Sequence, residues 1–293
     1  MTASSVPRRS LGRQLKKLRE DAGVSAAAAA KAIEVSKQTL WRIESGQLGP
    51  KLKELYVSIL CAMYGAGEAE TNALIGLVAE LKKPGWWHSF GDPLSAHANV
   101  FLGFEEAAKR LTVFQPTLIP ELLQTSDYRR AVIWIEHPNQ PTDFVENGVE
   151  IHTRRLRRLT GRGGGLELRA LIGETVLHTM VGGPAVMSGQ LRHLLDVATM
   201  PNISIRVIPR SKMGACIGLI TGAFIMMEFP AHPTVHLTEP PLIYVQGYTG
   251  GLYLDKEHEV RQYRIALAQL QHMALGEEES RNLISRIVME CAQ

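Results

Sequence analysis

Leu11, Leu15 and Leu18 recur at spacings of four and three, with Arg9, Arg13, Lys16 and Lys17 between them. That pattern predicts an amphipathic helix over residues 8–21, stopped by Gly23. Ser25 is placed to cap a second helix, and the run Ala26 to Ala30 that follows is a strong helix former whose small side chains let another helix approach. After the turn Glu34-Val35, Ser36 caps a third helix. Its Leu40 and Ile43 share one apolar face, and Gly46 ends it. Leu52, Leu55, Ile59, Leu60 and Met63 place a fourth helix in 51–63, and a fifth covers 69–81 before Lys83-Pro84-Gly85. The chain therefore opens with an all-α domain of five helices over residues 1–83, followed by a Gly-, Pro- and Ser-rich linker at 84–95.

The period then changes. Helical spacing over 96–108, 126–136, 143–159, 174–181, 184–199, 256–274 and 277–292 is interleaved with strand-like alternation at 110–115, 166–172, 203–208, 224–229, 242–245 and 250–254. Interleaved helices and strands make residues 96–293 a larger mixed α/β (α+β) domain. Strand order is not legible from this pattern.

Charge sharpens the division. The 293 residues carry a net charge of +3. Residues 1–64 hold 11 Lys and Arg against 5 Asp and Glu, and the remainder holds 21 against 24. A cationic first fifth is the electrostatic footprint of a nucleic-acid-binding module. Two helices joined by about three residues, the second rich in donors, form a helix-turn-helix. Ser36, Lys37, Gln38, Thr39 and Arg42 lie off the buried face of the third helix and are the expected DNA contacts. Gln38 suits the N6/N7 edge of adenine and Lys37 suits guanine O6/N7. Thr39 is placed for a phosphate or a thymine methyl, and Arg42 for a base or the backbone. Arg13 and Lys16 are expected to hold phosphates.

Other chemistry finds little support. His232-Pro233-Thr234-Val235-His236 spaces two histidines four apart, but Pro233 argues against a helix and HExxH is absent, so no metal site is expected. Cys61, Cys216 and Cys291 are far apart with no CxxC, which leaves buried free thiols as the default. Gly161 to Gly165 precedes a strand instead of opening a helix, so it is no ordinary phosphate cradle. No catalytic constellation and no cofactor are predicted. No run of 18 apolar residues predicts a membrane span, and the first ten residues lack the apolar run of a signal peptide. For Arg154-Arg155-Leu156-Arg157-Arg158-Leu159 the favoured reading is a solvated helix face over Leu156 and Leu159; a second DNA-backbone contact or an anionic-ligand site stays open. Trp86 and Trp87 read as a tether packed on a neighbouring surface, with a ligand-stacking platform as the alternative.

The stretches Gly23-Val24-Ser25, Val35-Ser36 and Ile43-Glu44-Ser45-Gly46 resemble the DNA-binding domain of the XRE family, which includes the phage Cro and cI repressors. The rest is similar to the uncharacterised C-terminal domain of actinobacterial XRE-type regulators, through Pro120 to Tyr128, Gln190-Leu191, Val207-Ile208-Pro209 and Thr249 to Leu254. The resemblance implies that Arg19 and Glu44 form a structural ion pair tying the first and third helices. It also implies a partner, since such regulators are often encoded beside a small protein. Two departures stand out. Ala26 replaces the Gln that relatives usually carry at the start of the second helix, and Glu34 replaces the usual turn Gly at a cost on the order of 1 kcal/mol.

The reading is a DNA-binding transcriptional regulator acting in the cytoplasm on the nucleoid. It binds double-stranded DNA as a homodimer, and its C-terminal domain senses a ligand or binds a small protein encoded by an adjacent gene. The alternative is an antitoxin-like protein that mainly sequesters that partner; an enzyme fused to a DNA-binding domain is a third, less favoured class.

Overall fold

The apolar stripe of the first helix is its buried stripe. In the computed structural model, which describes residues 5–47, 52–81, 86, 96–160, 165–248 and 250–290, Leu11 and Leu15 are fully buried. They lie on α1 (Ser5–Asp21), the axis of the first of two compact units. Around it pack α2 (Ala26–Ala32), α3 (Lys37–Glu44), α4 (Glu54–Tyr64) and α5 (Glu68–Leu81), joined by α6 (Ala96–Ala107). The shared core includes Ala29, Ala30, Ile33, Leu40, Ile43, Leu60 and Leu74. The unit comprises residues 1–108 together with a strap, Phe229–Pro240, whose Leu237 lies buried in the same core.

That division differs from the one the sequence pattern predicts. α6 packs on α1 in the first unit, although its helical spacing reads as the start of the second domain. The predicted linker at 84–95 lies outside the described residues except for Trp86, whose indole N–H makes a long 3.5 Å hydrogen bond to Glu106. Cys61 and Cys216 are buried free thiols, and Cys291 lies outside the described residues.

Glu34 adopts φ +55°, the left-handed conformation expected of the turn position that departs from Gly. A Cβ in this region costs roughly 1–2 kcal/mol, partly offset in the unfolded chain by glycine's greater freedom. Glu34→Gly is therefore expected to stabilise the first unit by about 0.5–1 kcal/mol in urea denaturation; an unchanged midpoint would show that the turn is unstrained.

The second unit is built on one six-stranded sheet. Its elements are β1 (Arg110–Gln115), α7 (Ser126–Glu136), α8 (Thr142–Thr160), β2 (Glu167–Gly173), α9 (Glu174–His178), α10 (Pro184–Val197), β3 (Ile203–Ile208), the short α11 (Arg210–Met213) and α12 (Gly218–Thr221), β4 (Phe224–Glu228), β5 (Leu242–Gly247), β6 (Gly250–Leu254), α13 (Glu257–Met273) and α14 (Glu277–Glu290). The strand order is β3-β2-β1-β4-β5-β6. The first three strands run parallel through helical crossovers, and β4, β5 and β6 add antiparallel. Phe114, Leu171, Phe224, Met226 and Ile243 form one face, packed by Val260, Leu267 and Leu270 of α13. Thr112, Arg169, Ser204 and Arg206 continue that face into a polar groove of about 510 Å³, which Glu277 and Arg281 also line.

The stretch Pro120–Tyr128 folds into a turn held by buried hydrogen bonds. Gln124 donates to the Ile119 carbonyl at 2.7 Å, and the Ile119 N–H donates to the Tyr128 hydroxyl at 3.3 Å. Gln190, fully buried on α10, closes it from the other side. It accepts from the Thr125 N–H at 2.7 Å and donates to the Leu123 carbonyl at 2.6 Å. Two segments singled out separately in the sequence are thus one network.

Candidate nucleic-acid interface

Ser36 sets the start of α3. Its backbone is extended, its hydroxyl accepts the Thr39 N–H at 3.0 Å, and the Ser36 and Thr39 hydroxyls lie 2.9 Å apart. The cap fixes which way the first turn points. Leu40 and Ile43 are buried, while Ser36, Lys37, Gln38 and Arg42 are exposed and Thr39 is half-covered. The side chains of Lys37, Gln38 and Arg42 make no hydrogen bond or ion pair among the described residues. Trp41, 55% exposed, belongs to the same open face, one turn beyond Lys37. It is not among the DNA contacts expected from the donor pattern; its signal in the sequence is a tryptophan one residue from Arg42 and off the Leu40–Ile43 stripe.

The face is held from behind by α1. Gly12 sits so close to the last turn of α3 that a Cβ there would lie 2.2 Å from the Ile43 carbonyl oxygen. Gly46, at φ +63°, abuts the backbone of Arg9 in the same way. Arg19 and Glu44 join in a two-pronged pair, Nε to Oε1 at 2.6 Å and Nη2 to Oε2 at 2.9 Å, with Arg19 also donating to the Val24 carbonyl. Their side chains are 12% and 6% exposed, and the Glu44 hydrogen bond raises the Arg19 pKa above its ordinary value. Ser25 caps α2 through the Ala28 N–H at 3.2 Å, and Ala26 packs part-buried against the core.

The two residues expected on phosphates differ in their surroundings. Lys16 is 55% exposed, with only a loose 3.8 Å contact to Glu20. Arg13 is already engaged: its Nη2 lies 2.7 Å from Oε2 of Glu239, a carboxylate in the strap. Nothing local in the sequence pairs residues 226 positions apart.

A helix-turn-helix family model matches residues 10–74, and a second model, for a domain of unknown function, DUF5753, matches residues 99–286. The second match spans more than half of the chain. The chain belongs to the DUF5753 family. No curated protein and no solved structure matches it. The DUF5753 match includes α6 and the strap, both of which pack in the first unit.

Within the DUF5753 region the basic run on α8 departs from the favoured expectation of a solvated face at one residue, Arg155, while Leu159 is buried beneath it as expected. Arg154 does face outward, to Glu150 at 3.0 Å. Arg155 is 8% exposed and bonds to Glu121, because it falls on the buried stripe with His152 and Leu159. Burial alone would raise the Glu121 carboxyl, but Arg155 and Arg129 outweigh it and hold the group well below the usual carboxylate range. His152, 1% exposed, lies 3.0 Å from the Gln124 carbonyl through Nε2, while its Nδ1 has no hydrogen-bond partner. Burial first, then Arg155, lowers its pKa to about 4.

His232 lies in a turn, not on a helix, with Nδ1 accepting the Thr234 N–H at 3.0 Å. Among the described residues no cluster of three or more His, Cys, Asp or Glu could hold a metal, and no helix is long and apolar enough to cross a membrane. Gly161–Gly164 and Trp87 lie outside the described residues.

Proposed function

We propose that this chain is a sequence-specific, DNA-binding transcriptional regulator of the XRE type, acting in the cytoplasm on the nucleoid. The observation that carries the reading is the open face of α3. A capped helix presents Lys37, Gln38, Trp41 and Arg42 outward, unburdened by internal partners for the three polar residues, while Leu40, Ile43 and Glu44 hold it to the core. A major groove admits such a helix, with Gln38 on adenine, Lys37 on guanine and the Trp41 ring against a thymine methyl. Thr39 and Lys16 hold phosphates, and Arg42 follows the groove or the backbone.

The regulator acts as a homodimer, because one module this small reads few bases. The exposed Leu55 and Met63 on α4, 64% and 39% accessible, support an apolar two-fold contact. The second unit senses a ligand or binds a small protein encoded nearby, and works by binding, not catalysis. Its polar groove of about 510 Å³ supports the sensing half of this reading, and the pairing of Glu121 with arginines supports the non-catalytic half. Antitoxin-like sequestration of the partner is the alternative.

Selection of duplexes from a random pool by the full chain tests the DNA reading. Enrichment of one motif, repeated as two half-sites about 34 Å apart, is the expected result. Recovery of an unenriched pool would overturn it.

A further inference from the structure

The segment Phe229–Pro240 follows β4 and precedes β5 in the chain, yet it packs as part of the first unit. It is tied to the N-terminal half of α1 at three points. The Ser10 hydroxyl, nearly buried, donates to the Leu237 carbonyl at 2.9 Å. The Arg9 guanidinium stacks 5.3 Å above the Phe104 ring, which in turn meets Phe229 at 6.2 Å between centroids. Glu239, its side chain only 2% exposed, takes Arg9 Nε at 3.3 Å on one carboxylate oxygen and Arg13 Nη2 at 2.7 Å on the other.

Glu239 is deeply covered and pairs with both guanidinium groups, so removing its charge takes a buried partner from Arg9, itself 18% exposed, and from Arg13 at once. The effect does not stop at α1. The Arg9 backbone touches Gly46 at the end of α3, and Gly12, three residues on, touches the carbonyl of Ile43. A Cβ at Gly46 would lie 2.7 Å from the Arg9 Cα and 2.9 Å from its Cγ, so α1 and the end of α3 pack too closely there to shift independently. A change in how α1 is held at Arg9 and Arg13 is therefore transmitted to the tilt of α3.

We propose that Glu239 is a positioning residue of the DNA-reading unit: through Arg9 and Arg13 it fixes α1, and through α1 it sets the angle at which α3 presents Lys37, Gln38 and Arg42. The helix-turn-helix match ends at residue 74, so this residue is supplied from far outside it, by the DUF5753 part of the chain. The inference rests on the DNA reading above.

The test uses the full chain, a duplex selected by the wild-type protein, and random-sequence duplex of equal length. Glu239→Gln keeps the shape and removes the charge. Its preference for selected over random duplex is expected to fall about tenfold, the cost of one lost base contact, with random-duplex affinity kept. Glu239→Asp should restore part of the preference. Arg13→Met should lower it too and add little to Glu239→Gln, since both break one unit. A purely structural loss would weaken both duplexes together. An unchanged preference in Glu239→Gln, or a loss shared equally by selected and random DNA, overturns the positioning role and leaves the DNA reading standing. A wild-type chain that selects no duplex overturns the DNA reading itself, and the positioning role with it.

Discussion

Replacing Glu44 by alanine is expected to lower the stability of the first unit by roughly 3 kcal/mol, well beyond the 0–1 kcal/mol of an exposed pair. The reason is burial. Arg19 keeps 12% of its side-chain exposure, and both of its hydrogen bonds to Glu44 are lost at once. The remaining partners are the Val24 carbonyl and, at 3.7 Å, the half-exposed Glu20, which solvent screens. The nearby Tyr64 hydroxyl, buried without a hydrogen-bond partner, offers no replacement carboxylate. The double variant Arg19→Met with Glu44→Ala should recover part of the loss, since no unpaired charge is then left inside. Urea denaturation of the wild-type and variant chains, followed by far-ultraviolet circular dichroism, reads the difference. A single-variant cost of 1 kcal/mol or less would show that the pair behaves as a surface contact.

The second large effect is a pH dependence seated at His152. Its pKa is about 4 in the folded chain and about 6.5 when unfolded, so between these values the unfolded chain binds the extra proton. Stability is then fully present above about pH 6.5 and is lost as the pH falls toward 4. The loss is about 2 kcal/mol by pH 5 and about 3 kcal/mol in total. Burial lowers the pKa of His193 as well, so part of the slope persists without His152. Glu121, held low by its arginines, adds its own loss only below the ordinary carboxylate range. His152→Gln preserves a donor for the Gln124 carbonyl and should flatten the dependence between pH 6.5 and 5. A variant as acid-sensitive as the wild type would place the titration elsewhere.

What the sequence makes legible here is what is local. The Ser36 cap, the Leu40–Ile43 stripe and the Gly46 stop all lie within about ten residues, and each has a mechanism that acts at that range. Strands such as Ile203–Ile208 are legible for the same reason, since alternation is written along the chain. Arg13 marks the limit. Its spacing shows that it lies off the apolar stripe of α1, but a face without a stated partner reads as solvent or phosphate, and the carboxylate it meets is 226 residues away. Arg155 is the inverse case. A run of four arginines reads as a solvated face, yet a helix with one inward stripe must place one of them on it, and Glu121 makes that burial tolerable. The strand order and the membership of α6 and the strap in the first unit are likewise products of long-range packing, which no window of sequence contains.

The exposed face of α3 is predicted to read sequence, while Lys16 on α1 supplies non-specific attraction. A salt titration of Gln38→Ala and Lys16→Ala on the selected and random duplexes tests it most directly. Gln38→Ala is predicted to lose about 1–3 kcal/mol on the selected duplex, to relax preference at one position, and to bind random DNA as the wild type does. Lys16→Ala is predicted to weaken both duplexes alike and to reduce the salt slope by about one unit. Equal losses on both duplexes for Gln38→Ala would contradict the account, because the exposed face of α3 would then be holding DNA without reading it.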